Sequence, residues 1–291
     1  MEYINSGLKI NLSLKVVGQR SDNFHLLDSI FVPIFSVHDV IGVEMAESEQ
    51  LAIDFTSNIA NQSHFDGMNN LAVRAAQLYC RKAELTPQIK IDLEKNIPIG
   101  GGVGGGSGNA GAILNFLNSK FKKFDTETLK KMALTLGADV PFFIENQLAR
   151  VNGIGEVITP LKSAMDLYFV LIFPQFPVST PWAFKNLPSE IKKTDVLGRN
   201  DLIVKALKNG DYDLLAANIH NDFEEILFGK YPIYQVIADS IKQYGKLSIS
   251  GSGSSCFVLC RNADEQKLVY EKLRTCFADD NIVIKKVVYK K

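Results

Sequence analysis

Hydrophobic and polar residues alternate along several short segments of the chain, a pattern typical of half-buried β-strands. The clearest alternation predicts a strand over residues 8–17, with Lys9, Asn11, Ser13 and Lys15 on one face. The same pattern, or a continuous apolar run, predicts further strands at residues 39–45, 51–55, 89–93, 167–173 and 282–289, and a strand, glycine turn and strand over residues 247–260.

Apolar residues recur three and four positions apart between these strands, which indicates amphipathic helices. The helix predicted at 69–80 has Asn69 or Asn70 in position to cap its amino terminus. The helix predicted at 126–136 is followed by Gly137, a residue type that favours a helix end. Further helices are predicted after the glycine-rich run near residue 100 and at residues 200–208, 211–228, 232–243 and 263–277.

Strands are followed by helices in each half of the chain, which predicts an α+β fold of two lobes. A shift in composition near residue 150 places the predicted boundary between an amino-terminal domain, residues 1–150, and a carboxy-terminal domain, residues 151–291. The chain is long enough for both domains to bury a core of their own.

The composition is that of an ordinary globular protein and argues against several functions. Apolar residues make up 46% and charged residues 22% of the chain. The 32 basic residues equal the 32 acidic ones, so no net field favours nucleic acid or an anionic membrane as a partner. No apolar stretch approaches the roughly 20 residues that span a bilayer. With no signal-peptide pattern at Met1, we expect a cytoplasmic protein.

The cysteines and histidines do not show the spacing of a metal centre. We expect the cysteines to be buried, reduced thiols. They are Cys80, Cys256, Cys260 and Cys276.

The most distinctive segment of the chain is its glycine run, with six glycines among residues 100–106. It lies between the strand predicted at 89–93 and a helix whose apolar positions begin at Ala112. Because glycine has no Cβ, such a loop can turn several N–H groups toward one anion, and the helix adds its partial positive charge. A flexible linker is the alternative, but linkers rarely join a strand to an amphipathic helix. We predict phosphate binding.

The better-known phosphate-binding motifs do not account for this run. The sequence contains no Gly-x-x-x-x-Gly-Lys-Ser/Thr and neither the His-Arg-Asp nor the Asp-Phe-Gly motif of protein kinases. Gly100, Gly102 and Gly105 fit the dinucleotide fingerprint, but no ribose-binding acid follows at the end of a next strand.

Three separated motifs together resemble the GHMP kinase superfamily over essentially the whole chain. They are Lys9-Ile-Asn-Leu, the run from Pro98 through Ser107-x-Asn-Ala, and Ser250-Gly-Ser-Gly-Ser-Ser-Cys-Phe. Gly137-Ala-Asp-Val-Pro and Thr180-Pro-Trp-Ala-Phe also fit in order. The resemblance implies a two-lobed α+β fold, with an amino-terminal lobe like domain 2 of ribosomal protein S5 and a ferredoxin-like carboxy-terminal lobe.

The resemblance implies that ATP and Mg²⁺ bind at the glycine run. It makes Asp139 the catalytic carboxylate that takes the proton of an alcohol, and Lys9 the cation that offsets charge on the transferred phosphoryl group. From the residues alone, Asp139 could instead form an Asx turn, and Lys9 could be a solvated lysine. Ser107 is a candidate metal ligand. The implied nucleotide-binding residues are Pro98, Gly100, Gly101, Gly102, Gly104, Gly105, Gly106, Ser107 and Asn109.

Within the superfamily the pattern most resembles kinases that phosphorylate the 2-hydroxyl of 4-diphosphocytidyl-2-C-methyl-D-erythritol in non-mevalonate isoprenoid biosynthesis. By this resemblance Phe24, His25 and Phe184 hold the cytosine of a substrate with a cytidine diphosphate moiety. On pattern alone the two phenylalanines fit a core equally well. The other implied substrate-binding residues are Asn11, Lys95, Gly251 and Gly253.

Purely structural alternatives remain for two of these positions. Lys95 fits a surface charge at the end of a strand, and residues 250–253 fit an ordinary hairpin turn. At the level of function, the alternatives are a GHMP kinase of homoserine or mevalonate type, or a catalytically silent nucleotide-binding sensor.

Two departures from the family pattern bear on nucleotide affinity rather than on identity. Gly7-Leu-Lys stands where Pro-Ala-Lys is usual, and Ser107-Gly-Asn-Ala-Gly stands where Ser-Ser-Asn-Ala-Ala is usual. Because glycine is a poor helix former, we expect Gly108 and Gly111 to weaken the start of the helix.

Overall fold

The structure is a computed structural model that describes residues 1–59, 67–188, 198–278 and 281–291. Its strands form two sheets, flanked by helices. The chain divides into two compact units. The first comprises residues 1–8, 37–99 and 104–147, and the second comprises residues 9–36, 100–103 and 148–291. The domain boundary predicted near residue 150 stays a prediction.

The strands in chain order are β1 (Glu2–Gln19), β2 (His25–Ala46), β3 (Ala52–Ser57), β4 (Gln88–Glu94), β5 (Ala149–Gly153), β6 (Val157–Pro160), β7 (Leu167–Pro174), β8 (His220–Asn221), β9 (Leu247–Ile249), β10 (Cys256–Cys260) and β11 (Ile282–Tyr289). The α-helices are α1 (Leu71–Ala83), α2 (Gly105–Phe121), α3 (Thr126–Leu136), α4 (Phe142–Glu145), α5 (Thr180–Lys185), α6 (Arg199–Asn209), α7 (Tyr212–Asn218), α8 (Glu224–Lys230), α9 (Ile233–Ile241) and α10 (Ala263–Cys276). No helix in the described ranges is long and apolar enough to cross a membrane.

In the first unit, strand β4 pairs with β3 in parallel and with β2 antiparallel. Its alternate residues Ile89, Ile91 and Leu93 are buried, as the period of two predicts. They belong to one apolar core with residues of α1, α2 and α3. The helices therefore cover one face of this part of the sheet.

In the second unit, β11, β7, β10 and β9 form an antiparallel sheet in that order. Strand β7 is paired on both sides and nearly all of its residues are buried, which explains its continuous apolar run. Its core includes Phe223 and Tyr234, both fully buried. The same unit contains a parallel pair between β1 and β8 and an antiparallel pair between β2 and β5.

Several elements confirm the predicted boundaries. Asn70 caps α1 by accepting a hydrogen bond from the Ala72 N–H at 2.9 Å. Helix α3 covers residues 126–136 and Gly137 is its C-cap residue, as predicted. Strand β11 covers the predicted residues 282–289. At these positions, local periodicity and capping residues are sufficient to predict where an element begins or ends.

The separate strand predicted at 39–45 is wrong, because β2 continues from His25 to Ala46. The strand changes partner along its length: residues 27–31 pair with β5, and residues 40–46 pair with β4. Between these sections Phe35 and Ser36 are exposed, which interrupts the apolar pattern without ending the strand.

The single helix predicted at 211–228 is also wrong, because β8 divides it into α7 and α8. The Asn221 side chain donates to the carbonyls of Ile249 and Gly251, at 2.9 and 2.8 Å. Asp222 accepts the Val16 N–H at 2.8 Å. Because these contacts come from distant parts of the sequence, helical periodicity could not reveal them.

Three cysteines are buried and free as expected, but Cys276 is exposed, which corrects the expectation that all four are buried. Burial raises the pKa of the Cys80 thiol to about 11 and that of Cys260 to about 12, so both stay protonated at neutral pH. Burial raises the pKa of Cys256 as well.

Close packing accounts for the glycines at the two unusual helix positions. A Cβ on Gly108 would lie 2.6 Å from the Gly7 carbonyl oxygen, and one on Gly111 would lie 2.6 Å from the Phe143 Cβ. Helix α2 nevertheless begins at Gly105 and continues through both residues. The two glycines therefore allow neighbouring segments to approach, a role that helix propensity alone does not show.

We predict that Gly111→Ala destabilises the protein by about 1–3 kcal/mol, because the added methyl group overpacks the contact with Phe143. Urea unfolding measures the change. Gly229→Ala is the matched control, since Gly229 lies in helix α8 with no atom within 4 Å of the added Cβ. Equal stability of Gly111→Ala and the native chain would show that the contact tolerates a side chain.

Candidate functional site

The glycine run adopts a backbone conformation suited to an anion. Gly100, Gly102 and Gly104 have φ angles of 71°, 74° and 73°, in the left-handed region that favours glycine. Alternation of such residues with ordinary ones can turn successive N–H groups to one side of the chain. Gly104 is also the N-cap residue of the 17-residue helix α2, and no side chain caps that helix end. These features fit a bound phosphate.

The second glycine turn, residues 250–253, touches the glycine run backbone to backbone. A Cβ on Gly102 would lie 2.4 Å from the Ser250 carbonyl oxygen and 2.7 Å from that of Gly253. Conversely, a Cβ on Gly251 would lie 2.4 Å from the Gly102 carbonyl oxygen. A side chain at either position is incompatible with this close approach. The contact therefore explains why both Gly102 and Gly251 are glycines.

The second turn is also a hairpin loop between β9 and β10. The Ser250 N–H donates to the Ser255 carbonyl at 2.9 Å, and the Ser255 N–H donates to the Gly101 carbonyl at 3.0 Å. The alternative that residues 250–253 form a hairpin turn is therefore correct, because the loop joins the paired strands β9 and β10. The same loop also contacts residues 101 and 102, and its predicted substrate role stays a prediction.

Lys9 is buried, so the alternative of a solvated lysine is wrong. Its ammonium donates to Asn11 Oδ1 at 2.6 Å and to the Gly102 carbonyl at 3.1 Å. Its backbone N–H donates to the Val103 carbonyl at 2.9 Å. The Phe31 ring centroid lies 4.6 Å from the ammonium. The structure thus holds the Lys9 charge against the glycine run, with Asn11 beside it.

Two serines that the sequence analysis did not identify complete this polar network. Asn11 Nδ2 donates to Ser29 Oγ at 3.0 Å. Ser250 Oγ lies 3.3 Å from Asn11 Oδ1 and 3.4 Å from the Gly102 oxygen. Ser250 lies within a recognised motif, and Ser29 lies within residues 24–31, a segment that also fits the family pattern, but the sequence assigns no role to either hydroxyl.

Asp139 belongs to the first unit, where it lies in the turn between α3 and α4. The Val140 N–H donates to the Gly137 carbonyl at 3.1 Å and closes this turn. Asp139 as a whole residue is partly exposed. Lys9 belongs to the second unit, and the pairing of Lys9 with Asp139 stays a prediction.

The predicted residues of α2 lie in its first two turns. Gly105, Gly106 and Ser107 form the first turn, and Asn109 follows in the second. Asn109 is 1% exposed, and its Oδ1 has no hydrogen-bond partner among the described residues. Their nucleotide contacts stay predictions.

Lys95 is buried, so the alternative of a surface charge at the end of a strand is wrong. Its side chain is 2% exposed, and its ammonium lies 2.6 Å from Asp39 and 2.5 Å from the Ile97 carbonyl. Burial lowers the pKa of Lys95, an effect that the Asp39 carboxylate opposes without cancelling. A Cβ on Gly105 would lie 3.1 Å from this ammonium, so Lys95 lies beside the start of α2.

Asp39 was not identified from the sequence, yet it organises the approach to Pro98. Besides pairing with Lys95, it accepts the N–H groups of Asn96 and Ile97 at 2.7 and 2.8 Å. In the sequence, Asp39 is distinguished only as an acidic residue between two apolar runs. The chain therefore enters the glycine run from a fixed position.

The predicted aromatic residues lie in the second unit. The rings of His25 and Phe184 are stacked, with centroids 4.6 Å apart and an interplanar angle of 22°. Phe184 also meets Phe223 edge to face, at 4.9 Å. Phe24 is 54% exposed, so the core alternative is wrong for it, whereas Phe184 is packed against the core.

Helix α5, which carries Phe184, is tied to the second glycine turn. Thr180 Oγ1 and Ser252 Oγ are 2.8 Å apart. A Cβ on Gly100 would lie 3.3 Å from Pro177, just before this helix. Within the second unit, the aromatic pair and residues 100–102 are therefore linked through a short segment of chain.

Comparison with known proteins assigns the class. The GHMP kinases N terminal domain matches residues 70–147, and the GHMP kinases C terminal domain matches residues 203–279. The chain belongs to the GHMP kinase family and has its mixed α+β fold. It is a small-molecule kinase of a family that uses ATP.

Similar proteins carry a more specific name. The 4-diphosphocytidyl-2-C-methyl-D-erythritol kinase of Nitratidesulfovibrio vulgaris is 33% identical over 275 residues, 93% of this chain and 94% of the relative. The enzyme of that name from Clostridium perfringens is 32% identical and covers 96% of each chain. A crystal structure of 4-(cytidine 5'-diphospho)-2C-methyl-D-erythritol kinase matches with a TM-score of 0.80 at 29% identity, over 99% of this chain and all of that one.

A homoserine kinase from Cytophaga hutchinsonii shares the fold alone. Its crystal structure has a TM-score of 0.76 at 19% identity and covers all of this chain and 95% of that one.

We predict that Asp39→Asn destabilises the protein by about 3–5 kcal/mol, because it leaves the buried Lys95 ammonium without its counter-ion. Urea unfolding measures the loss. Adding Lys95→Met to this variant removes both charges and should recover part of the stability. A loss below about 1 kcal/mol for Asp39→Asn alone would contradict the prediction, since exposed ion pairs contribute no more than that.

Proposed function

We propose that this chain transfers the γ-phosphoryl group of ATP to the 2-hydroxyl of 4-diphosphocytidyl-2-C-methyl-D-erythritol. The observation that carries the proposal is the stacked pair of His25 and Phe184, next to the exposed Phe24. Flat aromatic surfaces and an imidazole suit a pyrimidine base, whereas homoserine and mevalonate have no ring to stack. The named relatives, at about one-third identity over nearly the whole chain, support the same substrate.

In this proposal the glycine run from Pro98 to Asn109 binds the phosphates of ATP. Its left-handed glycines allow backbone N–H groups to turn toward one anion, and the start of α2, which no side chain caps, adds partial positive charge. Pro98 and the glycines contribute backbone, and Ser107 contributes a hydroxyl. The buried Lys95 lies beside Gly105 with its charge paired to Asp39, so in this proposal it fixes the backbone that leads into the run.

Magnesium would enter with the nucleotide. Mg²⁺ prefers oxygen ligands and commonly keeps phosphate oxygens and waters in its shell. The Ser107 hydroxyl, in the first turn of α2, is an oxygen donor that fits this chemistry. The ion supplies charge neutralisation at the phosphates, and the remaining roles fall to side chains of the chain.

The transfer step assigns one role to each charged residue. The substrate oxygen forms a bond to the γ-phosphorus as the bond to the β-phosphate oxygen breaks, and ADP leaves. Asp139 accepts the hydroxyl proton, while Lys9 stabilises the charge on the phosphoryl oxygens. Most of the rate enhancement comes from alignment and electrostatics, because phosphoryl transfer needs little covalent help from the protein.

Residues of the second unit make the remaining substrate contacts in this proposal. Asn11 lies beside Lys9, and its amide is directed by hydrogen bonds. Gly251 and Gly253 have φ angles of 58° and 81°, so the second turn can offer backbone N–H groups to the diphosphate. Phe24 offers an exposed ring face to cytosine, Phe184 supports the stacked His25 ring, and His25 offers hydrogen bonds to the edge of the base.

We predict that the purified chain releases ADP from ATP and Mg²⁺ in the presence of the cytidine diphosphate methylerythritol substrate, but not with homoserine or mevalonate. ADP release, measured separately with each alcohol, tests the substrate. Turnover with either other alcohol and none with the first would overturn the assignment. ATP binding without turnover of any alcohol would favour the nucleotide-binding sensor.

Asp139→Asn tests the proposed chemistry. We expect kcat to fall by about 10²–10⁴ because a general base is lost, while ATP affinity, measured by titration calorimetry, stays close to that of the native chain. Native turnover in this variant would show that another group accepts the proton.

A further inference from the structure

The amide of Asn11 lies between two partners of opposite hydrogen-bonding character. The Lys9 ammonium is 2.6 Å from Oδ1, and Ser29 Oγ is 3.0 Å from Nδ2. An ammonium can only donate, so the amide oxygen must face it and the NH₂ group must face the serine. All three side chains are buried, which makes a mismatched contact costly.

The Ser29 hydroxyl is itself restricted to one role toward Asn11. It donates its proton to the Ser13 carbonyl on the adjacent strand. Because that proton is engaged, the Ser29 oxygen presents a lone pair to the amide and accepts from it. A flipped Asn11 would place its NH₂ group against the Lys9 ammonium and its oxygen against the Ser29 lone pair. Both contacts would be repulsive.

Ser250 does not select between the two amide orientations in this way. Its Oγ accepts the Asn11 backbone N–H at 3.3 Å and lies 3.3 Å from Oδ1. These distances are longer, and a hydroxyl that can rotate adapts to either end of an amide. Ser29, together with Lys9 itself, therefore distinguishes the oxygen of Asn11 from its nitrogen.

We propose that Ser29 is a positioning residue for the phosphoryl-transfer step. It fixes the Asn11 amide, whose oxygen then holds the Lys9 ammonium beside the Gly102 carbonyl. The inference rests on the proposed function, in which Lys9 acts on the transferred phosphoryl group. Ser29 is fully buried and acts through Asn11.

The variants Ser29→Ala and Ser29→Cys test this role. Alanine removes the acceptor, and cysteine replaces it with a weak one of nearly the same size. Without it the amide can turn, and the Lys9 charge loses its fixed position. We expect kcat to fall by about ten- to a hundredfold, the scale of a small misplacement of a catalytic group. The KM values for ATP and for the alcohol should change by no more than about threefold.

Ser13→Ala is the matched control. Ser13 is fully buried on the neighbouring strand, and its Oγ has no hydrogen-bond partner among the described residues. The substitution is chemically the same and leaves the carbonyl that Ser29 uses. We expect kcat of this variant to stay within about twofold of the native value. A kcat loss as large in Ser13→Ala as in Ser29→Ala would overturn the proposal, since general loosening of the strands would then explain both.

A second measurement does not depend on activity. The side-chain NH₂ resonances of Asn11 can be assigned in a ¹⁵N-correlated NMR spectrum by their loss in Asn11→Asp. We expect slow solvent exchange in the native chain and in Ser13→Ala, and faster exchange with altered shifts in both Ser29 variants. Unchanged Asn11 resonances in those variants would overturn the positioning role.

The two measurements separate this inference from the proposed function. If the native chain phosphorylates a different alcohol, the kinetic comparison applies to that alcohol. If it phosphorylates none, the proposed function fails and the positioning role in catalysis fails with it, while the NMR result still decides whether Ser29 orients Asn11.

Discussion

The contact between the two glycine turns is the constraint on which the rest of the second unit depends. Gly102 and Gly251 approach so closely that a Cβ on either would lie 2.4 Å from a carbonyl oxygen of the other turn. This approach brings the Gly102 carbonyl within reach of the Lys9 ammonium and of Ser250. Helix α5, which carries Phe184 of the stacked aromatic pair, is linked to the second turn through Thr180 and Ser252.

The two buried lysines show how the chain accommodates charge near the glycine run. Lys95 is paired with a carboxylate, and Asp39 also holds the backbone of residues 96 and 97. The Lys9 ammonium donates to the side-chain oxygen of Asn11 and to the Gly102 carbonyl. A fixed ion pair suits a structural role. An ammonium held against the glycine run suits the role proposed for Lys9 toward a phosphate.

Local patterns in the sequence were enough to locate elements whose ends are set by nearby residues, such as α3 and β11. They failed where pairing partners that are distant in sequence decide the ends of an element. Examples are the continuous strand β2 and the division of residues 211–228 by β8. The same distinction holds for the candidate site. Glycine motifs identified both turns, but not their contact, and no local signal indicated that Asp39 and Ser29 orient Lys95 and Asn11.

The central claim is that the glycine run forms a phosphate-binding cradle whose shape requires the close approach at Gly102. Titration calorimetry of ATP and Mg²⁺ against Gly102→Ala tests it most directly, with the thermal unfolding midpoint of the same sample showing that the variant is folded. Because a Cβ would collide with the second turn at a φ of 74°, we predict at least about tenfold weaker ATP binding. Native ATP affinity in a folded Gly102→Ala variant would contradict the account.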